Sequence, residues 1–176
     1  GPGVNAWTFG PKLRRMFEAY GVPWQVLDRV LTAEELGSSP GDCYYDGTSV
    51  ILEYCCPVAW VAHELAHWLV CKVESPRMLV YKNYGLERDA LEVRRELGYG
   101  TGKDHELLAA QVTICVLIEC GYPWRQAARD MSIEPTQTRL APGSKVRDYS
   151  ERLWTAVRAT CMEHADYLYL HHGPET

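Results

Sequence analysis

The hydrophobic pattern divides the chain into short amphipathic pieces arranged around two strongly apolar helices. Lys12 to Tyr20 reads as a short helix stopped by Gly21-Val22-Pro23. Trp24 to Leu31 reads as a second helix, and Thr32-Ala33-Glu34-Glu35 has the form of a capping box for one further turn, ended by Gly37. Ser38 to Gly41 is a loop. Cys43 to Tyr45 and Thr48 to Tyr54 flank Asp46-Gly47, a strong hairpin signal, and the second of these strands is rich in β-formers. Pro57 then opens a helix at a position where proline is tolerated, and that helix runs to about Val73. Its interior reads W-V-A-H-E-L-A-H-W-L-V, in which the polar residues are His63, Glu64 and His67.

A loop is expected from Ser75-Pro76 to Tyr84-Gly85. Leu86 to Leu97 is a charged amphipathic helix closed by Gly98. Gly98 to Lys103 is glycine-rich but lacks the G-K-[ST] ending of a phosphate cradle. Asp104 to Cys120 is the second apolar helix, ended by Gly121. Pro123 to Met131 reads as a short helix, Pro135 to Val146 as a polar loop, and Arg147 to about Leu170 as a long terminal helix. There is no internal repeat. The expected fold class is α+β and mostly helical: one domain over residues 1–176, with a small antiparallel sheet (the hairpin at about 42–54) packed on the helix of His63. Gly1-Pro2-Gly3 has the look of a cloning scar.

Composition narrows the function. The net charge of −5 is spread with both signs interspersed, so no basic stripe suggests nucleic acid and no polybasic cluster suggests a membrane surface. The longest uncharged run, Leu107 to Ile118, is too short to span a bilayer. Cysteines 43, 55, 56, 71, 115, 120 and 161 are odd in number and contain no C-x-x-C pair. Most lie in apolar helical stretches, which suits reduced core thiols and a cytoplasmic location. The adjacent Cys55-Cys56 is a redox candidate, with inert core thiols the expected reading.

The chemistry concentrates in His63-Glu64-Leu65-Ala66-His67. Side chains four apart share one face of a helix, so both imidazoles can hold one metal ion. Glu64 projects about 100° around the helix from His63, beside a water such an ion would carry. Buried polar groups must find partners, and a metal would satisfy both imidazoles. Zinc of the catalytic kind needs a third protein ligand. Two glutamates compete for that place, each in an E-x-x-A pattern. Glu106 lies on the second apolar helix, on a face shared with Ala110, Thr113 and Leu117, where a carboxylate is costly unless paired or metal-bound. Glu87 lies at the edge of the stripe Leu86, Ala90, Val93 and Leu97 and is the alternative. Asp104 and His105, at the helix entrance, read as caps.

A hairpin, then H-E-L-A-H-W on a helix, then E-x-x-A opening another helix, resembles the gluzincin metallopeptidases and is most similar to the ImmA/IrrE type. The resemblance covers roughly residues 42–120. It implies that His63, His67 and Glu106 (or Glu87) are zinc ligands, that Glu64 is the catalytic base, that Zn2+ is the cofactor, and that the substrate is a protein or peptide, often a regulatory protein. The expected activity is hydrolysis of a peptide bond. The rival expectation is a non-catalytic binding or regulatory protein on the same scaffold. For the oxyanion donor, Tyr84, His105, His164 and Tyr167 are candidates by residue type alone, each with a structural role as its ordinary reading.

Overall fold

The computed structural model describes residues 10–37, 39, 42–86, 91–96, 106, 109, 110, 112, 113, 116, 117, 120 and 121. Glu87, His105, His164, Tyr167, the loop at 98–103 and the elements expected beyond Gly121 lie outside the described residues.

Helix α1 (Pro11–Tyr20) starts with proline in its first turn and ends at Gly21, whose φ of 72° gives the left-handed cap. Leu13 and Phe17, one turn apart, fix its buried face. The next segment departs from expectation. Trp24–Leu27 is a strand, β1, rather than the start of a helix over Trp24 to Leu31. It pairs in parallel with β3 (Val50–Glu53), Trp24 opposite Val50 and Leu27 opposite Glu53. The competing principle is long-range pairing: β3 is buried at all four positions and carries strands on both edges. Helix α2 (Ala33–Leu36) carries the expected capping box, with Thr32 Oγ1 accepting from the Glu35 N–H and Glu35 Oε1 accepting from the Thr32 N–H.

Strand β2 (Cys43–Tyr45) pairs antiparallel with β3, as the hairpin signal requires. Asp46 makes the turn by accepting the Thr48 and Ser49 N–H groups, both at 2.7 Å. The sheet order is therefore β1-β3-β2, and the expected antiparallel sheet is corrected to a mixed one.

Helix α3 (Val58–Glu74) packs against this sheet. Ala59, Val61, Ala62, Leu65, Ala66, Leu69 and Val70 are all buried, so the helix is enclosed on nearly every side. The expected loop after it is two short 3-10 helices, Pro76–Val80 and Lys82–Gly85. In the second, Asn83, Tyr84 and Gly85 are all left-handed, with φ of 47°, 59° and 68°. Two of these carry a Cβ, which makes the segment strained. Asn83 anchors it, accepting the Tyr45 N–H at Oδ1 (3.1 Å) and donating from Nδ2 to the Leu36 carbonyl (3.2 Å). The Tyr84 ring stacks on Tyr45, centroids 4.6 Å apart.

Helix α4 (Leu91–Glu96) falls within the expected 86–97 helix. Glu106, Ala109, Ala110, Val112, Thr113, Val116 and Leu117 are helical, in line with the second apolar helix, and Gly121 with φ 81° follows it. Ala109, Val112, Val116 and Leu117 join Leu13, Phe17, Leu52 and Leu65 in one core. The result is an α+β architecture in which α3 lies between a small mixed sheet and the segment of Glu106. Among the described residues, no helix is long and apolar enough to cross a membrane.

Candidate metal centre

His63, Glu64 and His67 of α3 are each at most 9% exposed, so these three polar side chains must be matched inside the protein. Their matches come from each other and from other elements. The two imidazoles converge, His67 Nε2 lying 2.9 Å from His63 Nε2. Glu106 Oε2 completes the group, 3.7 Å from His63 Nε2 and 3.4 Å from His67 Nε2. The triad thus draws two donors from one helix and one from another. Ala109 and Ala110, small and buried, lie one turn beyond Glu106 on the face turned towards α3.

These separations fit one small cation. Two ligands held about 2.0–2.1 Å from a tetrahedral ion lie roughly 3.3–3.4 Å apart. The Glu106 distances lie close to that spacing, and the imidazole pair needs to open slightly. Two imidazoles and one carboxylate are a donor set of the kind that holds zinc, copper, iron or nickel. Glu106 is the open side of the group: its side chain is 54% exposed against 11% and 7% for the histidines, so solvent reaches the site past the carboxylate.

The charges differ between the imidazoles. Burial pushes His63 down to about 3, aided by the neighbouring His67 and opposed by Glu106. Burial, the largest single influence, acts on His67 in the same direction, but the Glu106 carboxylate together with Glu64 outweighs it and His67 is raised. A neutral His63 thus faces a His67 that favours its cation.

Glu64 sits behind the triad in the same cavity, a space of about 80 Å³ lined also by Ser39, Trp60, Asn83, Tyr84 and Leu86. That space has room for a small ion and water. Tyr84 Oη lies 3.1 Å from both Glu64 Oε1 and the Glu64 carbonyl oxygen. The Cys43 thiol reaches Glu64 Oε2 at 3.9 Å. Burial pushes the Glu64 carboxyl up, while His67, Tyr84 and Cys43 pull it back and Glu106 adds to the rise. The same burial, reinforced by Glu64, drives the Tyr84 phenol well above its ordinary value, so it remains a hydroxyl donor.

Of the residues read from the sequence, the structure brings together His63, His67 and Glu106, with Glu64 lining the same cavity. Tyr84 lies in that cavity on Glu64. Residue type alone suggested it, and no pattern in Lys82-Asn83-Tyr84-Gly85 points to the site. Thr113 has a part that the sequence reading missed: its hydroxyl lies 2.9 Å from His63 Nδ1. A signal existed, since Thr113 is two turns from Glu106 on the same face. Neither Cys55 nor Cys56 lines the cavity: Cys55 reaches Glu53, and Cys56 reaches the Pro57 carbonyl and lies against Cys43.

Compared with family models, curated proteins and solved structures, the chain matches none of them. The functional reading therefore rests on the side chains of α3, the Glu106 segment and the Tyr84 turn.

Proposed function

We propose that this protein is a zinc-dependent metallopeptidase that hydrolyses a peptide bond in a protein substrate, with a regulatory protein as the favoured target class. The observation that carries the reading is the convergence of His63 Nε2, His67 Nε2 and Glu106 Oε2 within one cavity that a buried glutamate also lines. His63, His67 and Glu106 would hold the ion. When bound, zinc supplies a Lewis acid that brings the pKa of a water near neutrality. Glu64 accepts a proton from the attacking water and returns it to the leaving amine. Its burial suits that double duty, because a raised carboxyl pKa holds the proton until the amine needs it. Tyr84 steadies the carboxyl from the side, with its hydroxyl 3.1 Å from Oε1.

A second reading has one observation in its favour. The outer edge of β2, beside the cavity, is already in use: the Cys43 carbonyl accepts from Ser39 Oγ at 2.6 Å and the Tyr45 N–H donates to Asn83 at 3.1 Å. A peptide adding to that edge as a further strand must displace both bonds. This favours a non-catalytic binding or regulatory protein on a zinc-peptidase-like scaffold.

One set of measurements separates the readings. Metal analysis of the purified protein, with zinc added back after chelation, should give one ion per chain. Glu64→Gln should retain the ion and abolish cleavage of candidate protein substrates. No uptake of zinc sinks both readings, and biological function surviving in Glu64→Gln leaves only the binding one.

A further inference from the structure

The Thr113 hydroxyl has one proton and two close neighbours. It lies 2.6 Å from the Ala109 carbonyl oxygen, four residues back on its own helix, and 2.9 Å from His63 Nδ1. Two oxygens at 2.6 Å repel unless a proton lies between them, so the hydroxyl proton goes to Ala109. What Thr113 then offers His63 is a lone pair. His63 Nδ1 must carry the hydrogen in that bond, and Nε2 must carry the lone pair. Nε2 is the atom that faces His67 and Glu106.

We propose that Thr113 is a positioning residue for the metal site, relaying the Ala109 carbonyl to His63 so that its imidazole is fixed as the Nδ1–H tautomer with Nε2 presented to the ion. The inference rests on the metal-site reading above and specifies how one ligand is set. Ligating imidazoles are commonly held through their second nitrogen by a carboxylate or carbonyl. Here a hydroxyl occupies that place, and a helical back-bond gives it its direction. Thr113 is wholly buried, so no water can substitute for it without rearrangement. Its position also couples the two helices. Glu106 and Thr113 lie two turns apart on one face, so the same segment supplies a ligand and orients a ligand of α3. A shift of that segment along its axis would misplace both at once.

The test compares the wild type with Thr113→Val and Thr113→Ser by titration with zinc against a competing chelator. Valine keeps the shape and removes the acceptor, whereas serine restores it. Thr113→Val should bind zinc roughly ten- to a hundredfold more weakly, the usual effect of losing such a partner, and Thr113→Ser should recover most of the loss. Long-range nitrogen–proton NMR on wild-type His63 should show the Nδ1–H tautomer. Equal zinc affinity in folded Thr113→Val, or an Nε2–H tautomer in the wild type, overturns the proposal. If Thr113→Val fails to fold, the wild-type tautomer still decides. A wild type that takes up no zinc refutes the metal-site reading instead, and the tautomer measurement distinguishes the two failures.

Discussion

Asn83 is the place where backbone strain, a buried hydrogen bond and the site meet, and its substitution series has a predictable order. The side chain accepts the Tyr45 N–H at Oδ1 and donates from Nδ2 to the Leu36 carbonyl, while its own φ is 47°. Asn83→Asp keeps the acceptor but sets a buried carboxylate oxygen against the Leu36 carbonyl in place of the donor, so a desolvation and repulsion cost at neutral pH adds to the lost hydrogen bond of about 0.5–1.5 kcal/mol. Asn83→Gly loses both bonds and leaves the buried Tyr45 N–H unmatched, about 1–3 kcal/mol, offset in part because glycine enters the left-handed region freely. Asn83→Ala loses both bonds and keeps a Cβ in a conformation that alanine tolerates poorly, adding about 1 kcal/mol over glycine. The expected total for alanine is thus about 2–4 kcal/mol, and glycine loses less than alanine. Urea unfolding followed by tryptophan fluorescence, with unchanged denaturant slopes, measures it. Alanine as stable as glycine would refute the strain argument.

Two other perturbations follow from the same structure. Tyr84→Phe keeps the ring stacked on Tyr45 and on His67 but removes the donor to Glu64, so it should lower stability by about 1–2 kcal/mol while zinc affinity stays unchanged; a loss of zinc affinity would show that the hydroxyl supports the ligands rather than Glu64. The Asp46 carboxyl is pushed up by partial burial but pulled further down by the Ser49 and Thr48 N–H groups and the Thr48 hydroxyl, leaving its folded pKa below its ordinary value. Its stabilisation is therefore complete above the unfolded value near ~4 and is lost as pH falls through the folded value. The urea midpoints of wild type and Asp46→Asn should converge as pH is lowered from about 6 to about 2.5, and a constant gap would contradict the assignment.

The sequence carried those elements whose cause is local. The Thr32-to-Glu35 capping box, the Asp46-Gly47 turn and the Pro57 start each depend on side chains within a few residues of the backbone they shape. Strand β1 does not. The spacing of Trp24, Leu27, Val30 and Leu31 imitates a helical stripe, yet Val30 is 65% exposed and the segment is a strand because β3 offers it an edge. No local pattern contains that offer, and without it the sheet reads as antiparallel. The candidate site divides in the same way. His63, Glu64 and His67 stand out as polar residues in an apolar helix, and Glu106 as a carboxylate on another. Tyr84 reaches Glu64 through a left-handed turn that depends on Asn83 bridging β2 and Leu36, contacts 38 and 47 residues distant in sequence. That kind of placement cannot be read from spacing.

The partners of the motif differ in kind, and the difference bears on what the site can do. Thr113, its own proton committed to Ala109, presents a lone pair to the His63 Nδ1–H and so leaves the lone pair of that imidazole at Nε2, towards His67 and Glu106. Tyr84 presents a hydroxyl to Glu64. One buried group is thereby readied to donate electrons to a cation, and the other is held as a proton acceptor. Both partners come from elements that also build the core, Thr113 beside Ala109 and Leu117, Tyr84 against Tyr45. Removing Thr113 leaves the buried His63 N–H without this acceptor, a larger loss than a typical hydrogen bond contributes when formed, and removing the Tyr84 hydroxyl leaves the Glu64 carboxyl with the weaker Cys43 contact. Folding and site geometry therefore depend on the same bonds, and loosening the site by mutation must also weaken the packing of α3 against its neighbours.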